Sequence, residues 1–145
     1  MIQHIDVHAV LQESGPGVYA DLVTRPTGRV VRERIERAIA GEDVAVARMD
    51  FGGVGCIDYS CADEIVAKLL RHRVAVLVLS GISDGHRETI EPVLAGHGLA
   101  VLVEQPDGTL GILGAPEAAA ALLDELVARQ LAARIPGGTF ALTLA

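Results

Sequence analysis

The chain is poor in aromatic residues, with no tryptophan, two tyrosines (Tyr19, Tyr59) and two phenylalanines (Phe51, Phe140). A core of any size must therefore come from Ala, Val, Leu and Ile, which suits α/β layers of small side chains. Cysteine is equally scarce. Cys56 and Cys61 are the only two, and two do not make a disulfide framework. Their close spacing and the lack of a signal-peptide pattern place the expected compartment in reducing cytoplasm. The longest nearly unbroken apolar run, Val74 to Leu79, is far too short to span a bilayer, so no membrane insertion is expected. Positive charge is in deficit: 12 Lys and Arg stand against 19 Asp and Glu, a net charge of −7. That argues against a general nucleic-acid binder, whose affinity rests on cationic contacts to phosphate. No Walker loop, dinucleotide fingerprint or metal-ligand cluster is present, so neither cofactor nor metal is expected.

What remains is 145 residues, half of them hydrophobic, enough for one domain over 1–145. Its organising stretch is 44–70. Val44 to Met49 is apolar apart from Arg48, the pattern of a largely buried strand. Asp50 and Phe51 end it, and Gly52, Gly53 and Gly55 supply a permissive loop. From Ser60 onward, Cys61, Ala62, Ile65, Val66, Leu69 and Leu70 recur at helical spacing, with Asp63, Glu64, Lys68 and Arg71 on the other face. Ser60 is placed to cap this helix, with Asp63 in the position of a capping-box partner. A hydroxyl there can simply cap. It can also carry a phosphate, because free backbone N–H groups and the helix dipole favour an anion.

Strand-end Asp50, the short loop and Asp58-Tyr59-Ser60-Cys61 together resemble the STAS domain (sulphate transporter and anti-sigma-factor antagonist), in which an aspartate closes a strand and Asp-Ser-Ser-Gly opens a helix. Tyr59 stands at the first serine and Cys61 at the glycine. The likeness covers about residues 44–102, and the run is closest to a STAS-like branch with a DF…S.ADE pattern. The resemblance implies a STAS-like mixed sheet and a non-enzymatic cytoplasmic signalling module. Its partner would be a histidine-kinase-like anti-sigma factor, met by Asp50, Asp58, Tyr59, Ser60, Asp63 and Glu64. Ser60 falls where phosphorylatable members carry their acceptor.

The rest of the chain gives an α/β fold, a mixed sheet of about five to six strands with interleaved helices. An N-terminal hairpin is expected over 1–23, with strands at 1–11 and 18–23 around a turn at 13–17. In the core (24–104), Pro26 breaks the chain before an amphipathic helix over 28–40. Val30, Val31, Ile35, Ala38 and Ile39 point inward, and Arg29, Arg32, Glu33, Glu36 and Arg37 form i,i+4 pairs outside. Arg25, Arg29 and Arg32 could instead make a basic patch. VAVLVL over 74–79 reads as a strand covered on both faces. A helix over 86–97 must accommodate Pro92, by a late start or a kink. A strand over 99–104, a Gln105-Pro106-Asp107-Gly108 turn and a returning strand over 109–113 make a hairpin. Pro116 opens the last helix, with Leu122, Leu123, Leu126, Val127 and Leu131 as its stripe. Phe140, Leu142 and Leu144 alternate as a short strand or interaction tail.

Three further readings bear on function. His4 and His8 are four apart but lack a third ligand, so they read as surface histidines. Ser60, Asp58 and one of His72, His86 or His97 supply the residue types of a hydrolytic triad, but no nucleophile elbow or oxyanion loop accompanies them. Both cysteines read as core. A small-ligand sensor with a pocket at Gly52, Gly53 and Gly55, and a homodimer paired through the tail at 140–145, are the alternatives to partner docking.

Overall fold

The strand β3 (Val76–Ser80) is buried at every position, as a continuous β-branched and leucine run covered on both sides must be. The computed structural model describes residues 2–14, 20–39, 46–72, 74 and 76–143. Around β3 runs a five-stranded sheet, with β1 (Ile2–Asp6), β2 (Val46–Asp50), β4 (Ala100–Glu104) and β5 (Leu110–Gly114) in the order β1-β2-β3-β4-β5. The first four strands are parallel, and β5 returns antiparallel to β4 through the 105–108 turn. The fold is α/β with a mixed sheet.

Helices link the parallel strands. They are α1 (Val7–Ser14) and α2 (Arg25–Ala38) before β2, α3 (Tyr59–Ala62) before β3, and α5 (Asp84–Gly96) before β4. The helix begun by α3 continues through a π turn (Asp63–Ala67) into α4 (Lys68–His72). Parallel crossovers are right-handed and the strand order never reverses, so successive helices fall on one face. The larger core shows this, joining Ala47, Met49, Leu77, Leu79, Val101 and Val103 of the sheet to Leu11, Val31, Ile35, Ile65 and Ile90 of the helices. The other face, with Val46, Val76, Val78 and Leu102, packs on α6 (Pro116–Ala128) through Leu126. It also packs on Ala132 of a second, two-stranded sheet, β6 (Ala132–Arg134) and β7 (Phe140–Leu142).

The N-terminal hairpin is not formed. β1 pairs in parallel with β2, and the chain turns at once into α1. Val7 and Leu11 are spaced i,i+4 and both are buried, and the Asp6 carboxylate accepts the Ala9 N–H at 3.1 Å, a local cap that favours a helix over continued strand. Most of the expected turn at 13–17 and the start of its second strand lie outside the described residues. Leu22 makes only an isolated parallel bridge with Ile57.

Other boundaries shift for local reasons. α2 begins before Gly28, because Pro26 sits in its first turn, where the missing N–H costs nothing. Val30 and Val127 are exposed rather than inward. α5 starts at Asp84 because Ser83 caps it, and Pro92 lies within it on the exposed side. The β4–β5 hairpin and its turn form as expected, with the Gly108 N–H donating to the Gln105 carbonyl at 2.8 Å. The tail strand pairs within its own chain, Arg134 opposite Phe140, with the guanidinium 5.0 Å over the ring.

Candidate functional site

Asp58, not Ser60, caps the helix that follows the glycine loop. Its backbone is extended and its Oδ1 accepts the Cys61 N–H at 2.8 Å. Ser60 lies within the first turn, and its hydroxyl donates to the same Oδ1 at 2.8 Å. No capping box to Asp63 forms, because the cap is two residues earlier than serine spacing suggests. The second oxygen of Asp58 accepts the Thr24 N–H at 2.7 Å. One carboxylate thus ties the start of α3 to the segment entering α2. Burial alone would raise its pKa, but the hydrogen bonds from Cys61, Ser60 and Thr24 outweigh that and hold it below the usual range. Thr24 has φ 70° and ψ 141°, a strained backbone for a β-branched residue, and the Asp58 bond fixes it there.

Beside this clamp, Tyr59 presents a largely exposed ring, 62% accessible, and Ser60 is partly exposed. Asp63 is half-withdrawn: Arg25 Nη1 lies 2.9 Å from one oxygen and His97 Nε2 3.4 Å from the other. Glu64 is not on the surface at all. It is fully buried and accepts from Arg25 (3.0 Å), Arg32 (3.0 Å) and Lys68 (2.9 Å). Burial pushes its pKa upward, and the hydrogen bonds of Lys68, Arg32 and Arg25 overcome this to bring it down to about 2. The expected partner-facing role of Glu64 is therefore excluded by its position. Arg25 and Arg32 do not form a free basic patch either, since both are engaged by these acids, Arg32 also by Glu36. Of the i,i+4 pairs expected along α2, the structure shows Arg32–Glu36.

Asp50 sits apart from this group. It ends β2, and its Oδ1 accepts the Gly52 N–H at 2.8 Å. It lines a cleft of about 390 Å³ at the carboxyl ends of the parallel strands, together with Arg48, Ser80, Arg87, Glu104 and Gln105. No local motif marks this cleft, which forms from residues distant in the chain. The available signals were Arg48, a lone cation in an apolar strand, and the strand-end residues that register alignment brings level.

The glycine loop is tethered by hydrogen bonds to Ala20, Asp21 and His86. The Gly55 N–H donates to the Ala20 carbonyl at 2.6 Å, and the Cys56 N–H to Asp21 at 2.8 Å. His86 Nε2 donates to the Gly55 carbonyl at 2.6 Å, because its Nδ1 accepts the Ser83 N–H at 3.0 Å. The loop glycines are exposed, and a Cβ on each would meet Asp50, His8 and Asp21 in turn. Cys56 is exposed, contrary to expectation, while Cys61 is buried. Burial and the nearby Asp58 push the Cys61 thiol up to about 12, against any nucleophilic role.

No histidine bonds Ser60 among the described residues: His86 is committed to the loop and His97 faces Asp63. His4 is exposed and His8 lies 3.3 Å from Gln12. Among the described residues, no group of three or more His, Cys, Asp or Glu could hold a metal ion, and no helix is long and apolar enough to cross a membrane. Comparisons of the chain with protein-family models, with characterised proteins and with solved structures find no match.

Proposed function

We propose that this chain is a non-enzymatic regulatory module that binds a protein partner through the start of the helix at 58–64, as an anti-sigma-factor antagonist does. The observation that carries this is the exposed Tyr59 ring beside a hydroxyl that Asp58 holds at the helix tip. An amphipathic ring exposed on a rigid helix start is an economical anchor for another protein. Asp58, Ser60 and Asp63 form its polar surround, and Glu64 stabilises the helix from below. The resemblance around residues 50–61 points to a histidine-kinase-like anti-sigma factor as the partner and to cytoplasm as the setting.

Phosphorylation of Ser60 is the proposed switch. A phosphoryl group removes the O–H that now donates to Asp58 at 2.8 Å and sets close to two negative charges against that carboxylate. The helix N-terminus tolerates the anion, but Asp58 must move. Its bonds to Cys61 and to strained Thr24 loosen with it, and the presentation of Tyr59 changes. Phosphorylation thus weakens partner binding.

The test begins with a pull-down from the native host, with mass spectrometry of the bound proteins and of Ser60. Calorimetric titration of the recovered partner follows. Ser60→Asp and Tyr59→Ala each weaken binding about tenfold or more, a loss of about 1.4 kcal/mol, while Ser60→Ala binds nearly as the parent does. Unchanged affinity for both weakening variants, with their folds intact by circular dichroism, refutes the docking face.

A further inference from the structure

The cleft at the carboxyl ends of the strands contains a feature that the docking face does not use. Ser80 is 7% exposed and lines the cleft, yet its hydroxyl has no hydrogen-bond partner in the structure. A buried hydroxyl left unpaired is destabilising, so its retention calls for a reason. Arg87, on the cleft wall, makes no ion pair or side-chain hydrogen bond among the described residues. Arg48 is already matched, its Nε donating to Glu104 at 2.9 Å. The hydroxyl is therefore left unsatisfied, and the partly exposed guanidinium of Arg87 has no acidic partner among the described residues.

Strand register brings Ser80 to this cleft. Asp6, Asp50 and Ser80 align across β1, β2 and β3, so their side chains leave the same face of the sheet. That face is covered by α6 and the β6–β7 pair over Val46, Val76, Val78 and Leu102. Beyond those residues it opens into the 390 Å³ cleft and an adjoining one of about 210 Å³ that shares Arg48 and Asp50. The volume is within the ordinary range for small-ligand sites. The carboxyl ends of parallel strands are also where open α/β sheets place their ligands.

Charge selects the ligand class. Two arginines balance Asp50 and Glu104 in the main cleft, so a polyanion is disfavoured. A single unmatched guanidinium and a buried hydroxyl lining the same cleft fit one carboxylate, which the guanidinium can grip with two parallel N–H donors. Asp50 accepts from Gly52 on one oxygen, and its other oxygen can take a hydroxyl or ammonium donor. We infer that this cleft binds a small hydroxy- or amino-carboxylic acid, its carboxylate held by Arg87 and Ser80 and its donor group by Asp50. Gly81 shapes the floor: with φ +66°, it has Asp50 Oδ1 at 2.7 Å from where a Cβ would stand. The inference is independent of the docking face at 58–64.

The test is a nitrogen-15 amide shift titration of the full chain with D-glycerate, L-serine and inorganic phosphate, each to about 10 mM, the range of weak binding. Glycerate or serine shifts the amides of Gly81, Ile82 and Arg87 saturably, and more tightly than phosphate. Arg87→Gln weakens that binding at least tenfold. Ser80→Ala weakens it as well, while leaving the melting temperature equal or higher, because the hydroxyl it removes is unpaired in the free protein. Absence of saturable shifts with either acid overturns the inference. Tighter binding of phosphate overturns the carboxylate assignment, and undiminished binding in both variants overturns the site.

Discussion

Lys68 Nζ lies 2.9 Å from Oε1 of Glu64, one turn back on the same helix, and the carboxylate it meets has no contact with solvent. A buried charge must be compensated or it destabilises the fold. Here Arg25 and Arg32 complete the compensation from α2, so Glu64 cements α2 to the helix that displays Tyr59. Glu64→Gln keeps the shape and removes the charge, leaving Lys68 without its partner. The expected loss is about 3–5 kcal/mol of unfolding free energy, the usual cost of breaking a buried pair from one side. Urea denaturation at neutral pH measures it. A loss below about 1 kcal/mol would mean that the cluster behaves as a surface ion pair.

The same carboxylate sets an acid limit. Its folded pKa is about 2 against an ordinary 4.5, so the folded state binds fewer protons and is favoured above 4.5. That stabilisation drains away as pH falls from about 4.5 to about 2, and the shift corresponds to about 3 kcal/mol. Asp58, also shifted down, acts in the same direction. Melting curves between pH 7 and pH 2 should therefore fall steeply for the parent and more gently for Glu64→Gln, the two converging at the acid end. Parallel curves would show that another group carries the acid sensitivity.

Much of this was readable from residue order, and what was not has specific causes. The buried run at 76–79, the proline-glycine turn at 105–108 and the strand, glycine loop and helix after residue 46 are local patterns, and local patterns survive folding. The first helix is not legible in the sequence, because Ile5, Val7 and Leu11 satisfy alternation and helical spacing alike and only the Asp6 cap decides between them. Asp58 and Ser60 are both good caps, and the choice turned on a bond to Thr24, 34 residues away. The burial of Glu64 follows from arginines 32 and 39 residues distant. No helical pattern carries that information, so an acidic residue on a helix read as solvent-facing.

The two cysteines give a direct check on the packing at the helix start. Cys61 is buried with its Sγ 3.1 Å from the Thr24 carbonyl, and its thiol is pushed to about 12 from an ordinary 9.0. That leaves about a thousandfold less thiolate at a given pH. Cys56 is exposed. Titration with a thiol reagent at pH 8 should find one reactive group in the native protein and two after denaturation, with Cys56→Ser abolishing the fast phase. Two fast thiols in the native state would mean that the α2–α3 contact is open in solution.

That contact also reverses an ordinary rule about helices. Replacing glycine by alanine inside a helix usually gains about 1 kcal/mol. At Gly28, in α2, a Cβ would stand 3.0 Å from Cys61 Cα, 3.1 Å from its Sγ and 3.2 Å from Glu64 Cβ. The first of these is backbone and cannot turn aside. To admit the methyl, α2 must lift from α3, and that strains the reach of Arg25 and Arg32 to Glu64. Gly28→Ala is therefore expected to lose about 1–3 kcal/mol, as overpacked cores do, whereas Arg29→Ala on the exposed side of the same helix should stay within about 0.5 kcal/mol. Denaturant melts of the two variants decide the sign. A Gly28→Ala protein more stable than its parent would mean that the two helices are not held at this spacing, and that Glu64 does not join them as tightly as its three partners imply.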